Sequence, residues 1–177
     1  MLRKTGFALV AACVGLVSAP AVSSAETAPA CQIRWGSGPQ TGSPESAGNL
    51  TDIRAGRKDC YDRLVFDLSA AGPQRFQVSY VDKVSEDPTA KTVPLHGGAK
   101  LQITVRAPAY DESNQSTYTY ENRAELVNTK GFRTFRQVAW AGSWEGTTTI
   151  GLGVRARLPY RVFTYDDRVV VDVAHKW

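Results

Sequence analysis

Imidazole and thiol are scarce in this chain: His96 and His175 are its two histidines, and Cys13, Cys31 and Cys60 its three cysteines. Neither histidine stands at a zinc-ligand spacing from a cysteine, so no metal site is expected. A catalytic His175 would need an orienting acid and a nucleophile. Asp59 and Asp62 are the acids that a hydrolase reading would enlist, and no nucleophile lies nearby in the sequence. The competing reading gives His175 a hydrogen-bonded structural role. Gly142-Ser143-Trp144-Glu145-Gly146 is not a nucleophile elbow, which sets its serine centrally between glycines. Gly151-Leu152-Gly153-Val154-Arg155-Ala156 formally satisfies G-x-G-x-x-A, but Arg157-Leu158-Pro159 follows it in place of an amphipathic helix, so the dinucleotide reading fails. No residue is assigned a catalytic role and no cofactor is expected; a secreted hydrolase, or a protein-interaction module in envelope assembly, is the alternative reading.

Residue types suited to binding are more plentiful. Arg54, Arg57, Lys58 and Arg63 crowd around Cys60, and Arg155, Arg157 and Arg161 form a second group. Guanidinium forks match carboxylates and phosphates. Tyr61, Trp140, Trp144 and Tyr160 lie nearby in the sequence, and flat rings beside hydrogen-bonding groups stack on sugars. The expected ligand contacts are Arg57, Arg155 and Arg157 for carboxylates, with Trp144 and Tyr160 for stacking. That reading requires the five to converge in one cleft. The alternative is a set of solvated strand faces, with the cations interleaved among Asp59, Asp62 and Glu145.

The N-terminus sets the compartment. Arg3 and Lys4 precede an apolar run from Gly6 to Val17, and Ser23 and Ala25 supply the small residues that signal peptidase requires. Residues 1–25 are read as a secretory signal peptide, 26–30 as a linker and 31–177 as the domain. The apolar run is too short to span a bilayer, and no other stretch approaches the roughly 20 residues needed. Val10-Ala11-Ala12-Cys13 resembles a lipoprotein cleavage box, which makes lipidation at Cys13 the minor alternative. Export changes the arithmetic: removing Arg3 and Lys4 from 21 basic residues leaves 19 against 17 acidic, or +2 in place of +4. A charge so small, without a basic stripe, argues against nucleic acid. Two cysteines remain, and an oxidising compartment favours a Cys31–Cys60 disulfide, a free reactive thiol being the rival. The sequons at Asn49 and Asn114 matter only in a host that glycosylates.

These residues need a scaffold, and period-two alternation supplies one. Leu64, Phe66 and Leu68 share a face, as do Phe76, Val78 and Tyr80, and then Leu101, Ile103 and Val105. Runs at 135–140, 147–154, 160–164 and 168–174 complete the set. Turn residues separate the runs, among them Ala71-Gly72-Pro73, Asp87-Pro88, Gly97-Gly98 and the hairpin signal Asp166-Asp167. The fold class expected is all-β, an antiparallel sandwich carrying one disulfide, with at most one short helix near Tyr120–Leu126. Asp62–Leu68 and Asp167–Val173 share the pattern Asp-Arg-apolar-Val-apolar-Asp-apolar. Either two strands have converged or the sandwich is pseudo-symmetric. In both cases Asp67 and Asp172 point away from the apolar faces, within reach of neighbouring arginines as surface pairs of little energetic weight.

Four ordered strings carry a resemblance: Cys31-Gln32-Ile33-Arg34-Trp35-Gly36-Ser37, the segment from Arg54 to Arg63, the segment from Thr149 to Val162, and Val171-Asp172-Val173-Ala174-His175. Together they resemble the AMIN-like domain family of secreted actinobacterial proteins, over nearly all of 31–177. One departure is Lys58, where the pattern leads one to expect histidine. The resemblance implies a β-sandwich in an exported, envelope-associated protein. AMIN domains proper are targeting modules that bind peptidoglycan. The partner implied is therefore peptidoglycan or another cell-wall component, or an envelope protein. The resemblance transfers no functional residues.

Overall fold

The computed structural model describes residues 31–45 and 48–177. The expected signal peptide, Cys13 and the linker lie outside the described residues. Eleven strands follow in order: β1 (Gln40–Thr41), β2 (Leu50–Arg57), β3 (Tyr61–Leu68), β4 (Phe76–Val81), β5 (Val84–Ser85), β6 (Thr92–Val93), β7 (Ala99–Val105), β8 (Phe135–Trp144), β9 (Thr147–Val154), β10 (Tyr160–Tyr165) and β11 (Arg168–Ala174). They form a five-stranded sheet in the order β1-β4-β7-β9-β8, a four-stranded sheet in the order β10-β11-β3-β2, and the small β5-β6 hairpin. Every pairing is antiparallel.

The alternating residues decide which faces meet. Val78, Leu101, Ile103, Ile150, Leu152 and Val138 come from one sheet, and Leu64, Phe66, Val169, Val171 and Val173 from the other; all share a single core. Burying each such side chain stabilises the fold by roughly 1.5–3 kcal/mol. The Asp166-Asp167 turn closes β10 onto β11 with Tyr165 opposite Arg168. Asp166 takes φ 50°, as a two-residue hairpin of this hand requires.

The two Asp-Arg repeats are β3 and β11, and they are hydrogen-bonded neighbours. Their register sets Asp67 opposite Arg168 and Arg63 opposite Asp172. A local two-fold axis between Val65 and Val170 therefore exchanges the two ion pairs, Arg168–Asp67 at 2.9 Å and Arg63–Asp172 at 2.6 Å. The surface character expected of both pairs holds only for Asp67. The Asp172 side chain is fully buried, because Arg63 and Arg161 both close over it.

No helix forms among the described residues, including Tyr120–Leu126. Asn122 and Asn128 instead accept the backbone N–H groups two residues on, from Ala124 and Lys130. Such local bonds compete with helix. The segment then runs along the free edge of β8: Trp140 N–H donates to the Arg123 carbonyl and Leu126 N–H to the Val138 carbonyl, covering an edge that would otherwise be open.

The outer face of the five-stranded sheet is covered by the β5-β6 hairpin, which explains Gly151 and Gly153. A Cβ at Gly151 would lie 2.8 Å from Leu95, and one at Gly153 would lie 2.0 Å from the His96 carbonyl oxygen. The glycine pair admits a hairpin backbone against β9; it cradles no phosphate.

Candidate functional site

Cys31 and Cys60 are bonded, with Cα atoms 5.5 Å apart. The bridge lies beside the tight turn joining β2 to β3, where Lys58 N–H donates to the Tyr61 carbonyl. Arg57, Lys58, Asp59, Asp62, Gly131, Arg133 and His175 line a small pocket at this end of the sandwich, about 350 Å³ in volume. Asp62 follows the inward alternation of β3, so its carboxylate is wholly buried. One oxygen accepts the N–H groups of Thr134 (2.6 Å) and Phe135 (3.1 Å), and the other lies 3.0 Å from His175 Nε2. His175 Nδ1 stands 3.2 Å from the Asp59 carbonyl. Both ring nitrogens therefore face oxygens of the β2–β3 hairpin, and the imidazole clamps the end of β11 to β3. Asp62 and His175 are thus brought together, whereas the Asp59 side chain remains exposed.

Arg155 and Arg157 are exposed, and they donate mostly to backbone oxygens. Arg155 donates to the His175 carbonyl. Arg157 donates to the Ser37 carbonyl and lies 5.0 Å from the centre of the Tyr80 ring. Tyr160 is not a stacking platform. It is fully buried in the core, its hydroxyl shared between the carbonyls of Gly38 (2.5 Å) and Val78 (2.9 Å), and burial pushes its ionisation up to about 12. Alternation along β10 turns it inward, which a reading by residue type overlooks. Trp144 is half exposed and sits at the opposite end of β9 from Arg155, roughly 25 Å away at the strand rise. The five expected contacts therefore do not form one cleft.

Trp144 instead belongs to an aromatic groove. With Tyr110, Tyr118, Tyr120 and Trp140 it lines a depression of about 490 Å³. Tyr118 stacks on Trp140 (centroids 5.8 Å apart, planes at 25°), and Tyr120 tilts against the same indole at 5.1 Å. Tyr120 and Trp144 keep 41% and 52% of their surface in solvent. Burial drives the Tyr118 hydroxyl up to about 12, so this wall is neutral across the ordinary pH range. The loop carrying Tyr110 and Tyr118 is held firmly: Asp111 accepts from Ser113 and Gln115 N–H, Tyr110 pairs with Ser116, and the Tyr110 hydroxyl accepts from Gly146 N–H.

Trp140 is also a wall of a cleft of about 600 Å³ between the β5-β6 hairpin and the 122–125 segment. Gln137 bridges its two sides: the side-chain oxygen accepts from His96 N–H and the amide nitrogen donates to the Ala124 carbonyl, both at 2.8 Å. Arg123 pairs with Glu86 across the rim. That hydrogen bond, supported by the Thr89 hydroxyl, holds the Glu86 carboxyl below its ordinary range, so it is an acceptor near neutrality. Lys91, Asn122, Glu125 and Arg136 add further polar groups. Groove and cleft share Trp140, which sets the rings of one beside the hydrogen-bonding side chains of the other. The sequence reading noted Trp140 without assigning it, and missed Tyr118 and Tyr120. Their Tyr-x-Tyr spacing on a non-strand loop was the available signal.

The outer face of the four-stranded sheet is a third feature. Arg161 lies 4.4 Å from the Trp35 ring centre, and Arg63 and Arg161 both lie over Tyr61 and Phe163. These guanidinium groups are matched by Asp172, and those of Arg54 and Arg168 by Asp67.

Among the described residues, no three of His, Cys, Asp and Glu gather as a metal site, and no helix is long and apolar enough to cross a membrane. A family model for the AMIN-like domain matches residues 48–175. No curated protein and no solved structure matches the chain.

Proposed function

The chain belongs to the AMIN-like domain family, and from that premise we propose that it is an exported, non-catalytic module that binds the peptidoglycan of the cell envelope. The bound element is a glycan strand, laid along the aromatic groove and into the adjoining cleft. The observation that carries this reading is the place of Trp140 in both depressions, which joins the rings of Tyr118, Tyr120 and Trp144 to the polar groups of the cleft. Sugar rings offer apolar C–H faces to aromatic side chains and hydroxyl or amide groups to polar ones, and a concave surface with a few fixed polar groups is what such ligands require. Family membership and the signal-peptide pattern at 1–25 support an extracytoplasmic site of action.

Co-sedimentation of the mature chain with purified cell-wall sacculi at low salt tests the proposal. The parent protein pellets with the sacculi, whereas Trp140→Ala, Tyr120→Ala and Trp144→Ala lower the apparent affinity by about tenfold or more, equivalent to about 1.4 kcal/mol. Arg157→Ala, far from the groove, pellets like the parent. A parent protein that stays in the supernatant at low salt, or ring variants that pellet normally, refutes it.

A further inference from the structure

We propose that the pocket beside the disulfide, built by Arg57, Lys58, Arg133 and His175, binds a phosphate group. It shares no lining residue with the aromatic groove or the adjoining cleft, so this inference does not rest on the glycan reading. The argument starts from how arginines are satisfied elsewhere in the domain. Arg54 and Arg168 share Asp67, Arg63 and Arg161 share Asp172, and Arg123 pairs with Glu86. In the pocket the pattern breaks. Among the described residues Arg57 reaches only the Gly131 carbonyl, at 3.5 Å, and Arg133 only the Asp59 carbonyl, at 3.4 Å. Both contacts are long and the acceptors neutral, so each guanidinium keeps most of its donors free. Lys58 has no side-chain partner among the described residues, and all three cations are exposed.

The acids nearby offset this charge only in part. Asp62 is buried and saturated by Thr134, Phe135 and His175, so it cannot turn outward to an arginine. Asp59 is the remaining acid on the lining. Three cations therefore stand against two carboxylates on the lining, of which Asp59 alone is exposed, and the formal balance stays positive.

The cluster is also held in place before any ligand arrives. The Cys31–Cys60 bond and the His175 N–H to Cys60 carbonyl bond fix the turn that carries Lys58. Gly131 takes φ 81°, and a Cβ there would lie 3.1 Å from Arg57 Nη1, so glycine lets the guanidinium rest on the loop. Three cations converging from two separate parts of the chain, the β2–β3 turn and the loop before β8, suit an anion with three outward oxygens and up to two charges. A carboxylate is satisfied by a single guanidinium fork. A space of about 350 Å³ admits a phosphate with its polyol or sugar substituent.

The probes are inorganic phosphate, glycerol 3-phosphate, and vesicles containing an anionic phospholipid, added to the mature chain at low salt. Binding is read by amide chemical-shift changes in NMR spectra and by vesicle flotation. Saturable shifts are expected at residues 57–60, 131–133 and 175, with a dissociation constant in roughly the millimolar range for a small anion. The affinity falls about tenfold or more in Arg57→Ala and in Arg133→Ala. It rises in Asp59→Asn and is unchanged in Lys83→Ala, which removes equal charge elsewhere. Circular dichroism of each variant establishes that it is folded. Glycerol 3-phosphate binding without flotation identifies a soluble or polymer-borne phosphate as the ligand, and flotation that requires Arg57 identifies a lipid headgroup; both support the site. Absence of saturable shifts, shifts that survive the Arg57→Ala/Arg133→Ala double substitution, or an equal response to acetate overturns it. Trp140→Ala keeps phosphate binding, so failure of the glycan reading leaves this result intact.

Discussion

Removing the buried carboxylate of Asp62 is the sharpest test of how the disulfide end is held together. Its side chain is fully buried, and in Asp62→Ala two backbone N–H groups, of Thr134 and Phe135, lose their acceptor while His175 Nε2 loses its partner. Hydrogen bonds to a charged group contribute about 1.5–3 kcal/mol each, and a buried donor left unsatisfied costs about 1–3 kcal/mol. Losses within one network are not additive, and water entering the vacated space recovers part of them, so the expected total is about 3–5 kcal/mol. Asp62→Asn keeps one oxygen for both N–H groups and turns its amide toward the imidazole; about 1–2 kcal/mol is expected there. The assay is urea unfolding of residues 26–177 at pH 7, followed by tryptophan fluorescence. With a slope of about 2 kcal/mol per molar urea, the midpoint drops by roughly 2 M in Asp62→Ala and by under 1 M in Asp62→Asn. An Asp62→Ala midpoint within about 0.3 M of the parent would show that these bonds are not what fixes β3 to the start of β8.

Three further outcomes follow from the same structure. The Arg54 hydrogen bond, with that of Arg168, holds the Asp67 carboxyl below its ordinary range; the group therefore stabilises the fold above the unfolded value near 3.9, and this contribution is lost as pH falls through the lower native value. Because both arginines are well exposed, Asp67→Asn costs only about 1 kcal/mol at pH 7, and its stability curve converges on the parent's below about pH 4; a constant gap in acid denaturation would contradict this. Gly153→Ala drives a methyl group into the His96 carbonyl, so the hairpin carrying Lys83 and Lys91 loosens, at about 1–3 kcal/mol, and tryptic cleavage there accelerates; an unchanged cleavage rate refutes the packing role. Replacing Cys31 and Cys60 by serine releases a constraint spanning 29 positions, worth about 3.6 kcal/mol in the chain-entropy model, and a midpoint shift corresponding to under about 1 kcal/mol would show that the Trp35–Gly38 contacts hold that segment by themselves.

The strands legible from alternation were those with one clean apolar face: β3, β4, β7, β9, β10 and β11 all stand where the pattern put them. The less regular 135–140 run grew into the ten-residue β8, which carries two register shifts. Passed over was β2, because a register shift between Leu50 and Asp52 breaks its alternation and polar residues fill its exposed edge. The short strands β1, β5 and β6 hold two residues each, too few to show any period. Within the candidate site, Trp144 was visible as a ring on a hairpin. Tyr118 and Tyr120 matter only because their loop folds back on Trp140, a contact that no local spacing encodes.

Composition and pattern sufficed for the β class, the disulfide pairing and the family, since each rests on local alternation, cysteine parity or ordered strings. Position in space had to be decided by the fold. A side chain's availability depends on the face its strand presents, so Tyr160 went to the core while Trp144 stayed in solvent. Charge is equally a matter of neighbours. Arginines that look alike in sequence divide into those matched by Asp67, Asp172 or Glu86 and those left with backbone carbonyls beside Cys60. That division is set by strand register and by the burial of Asp62, which only the packed structure determines.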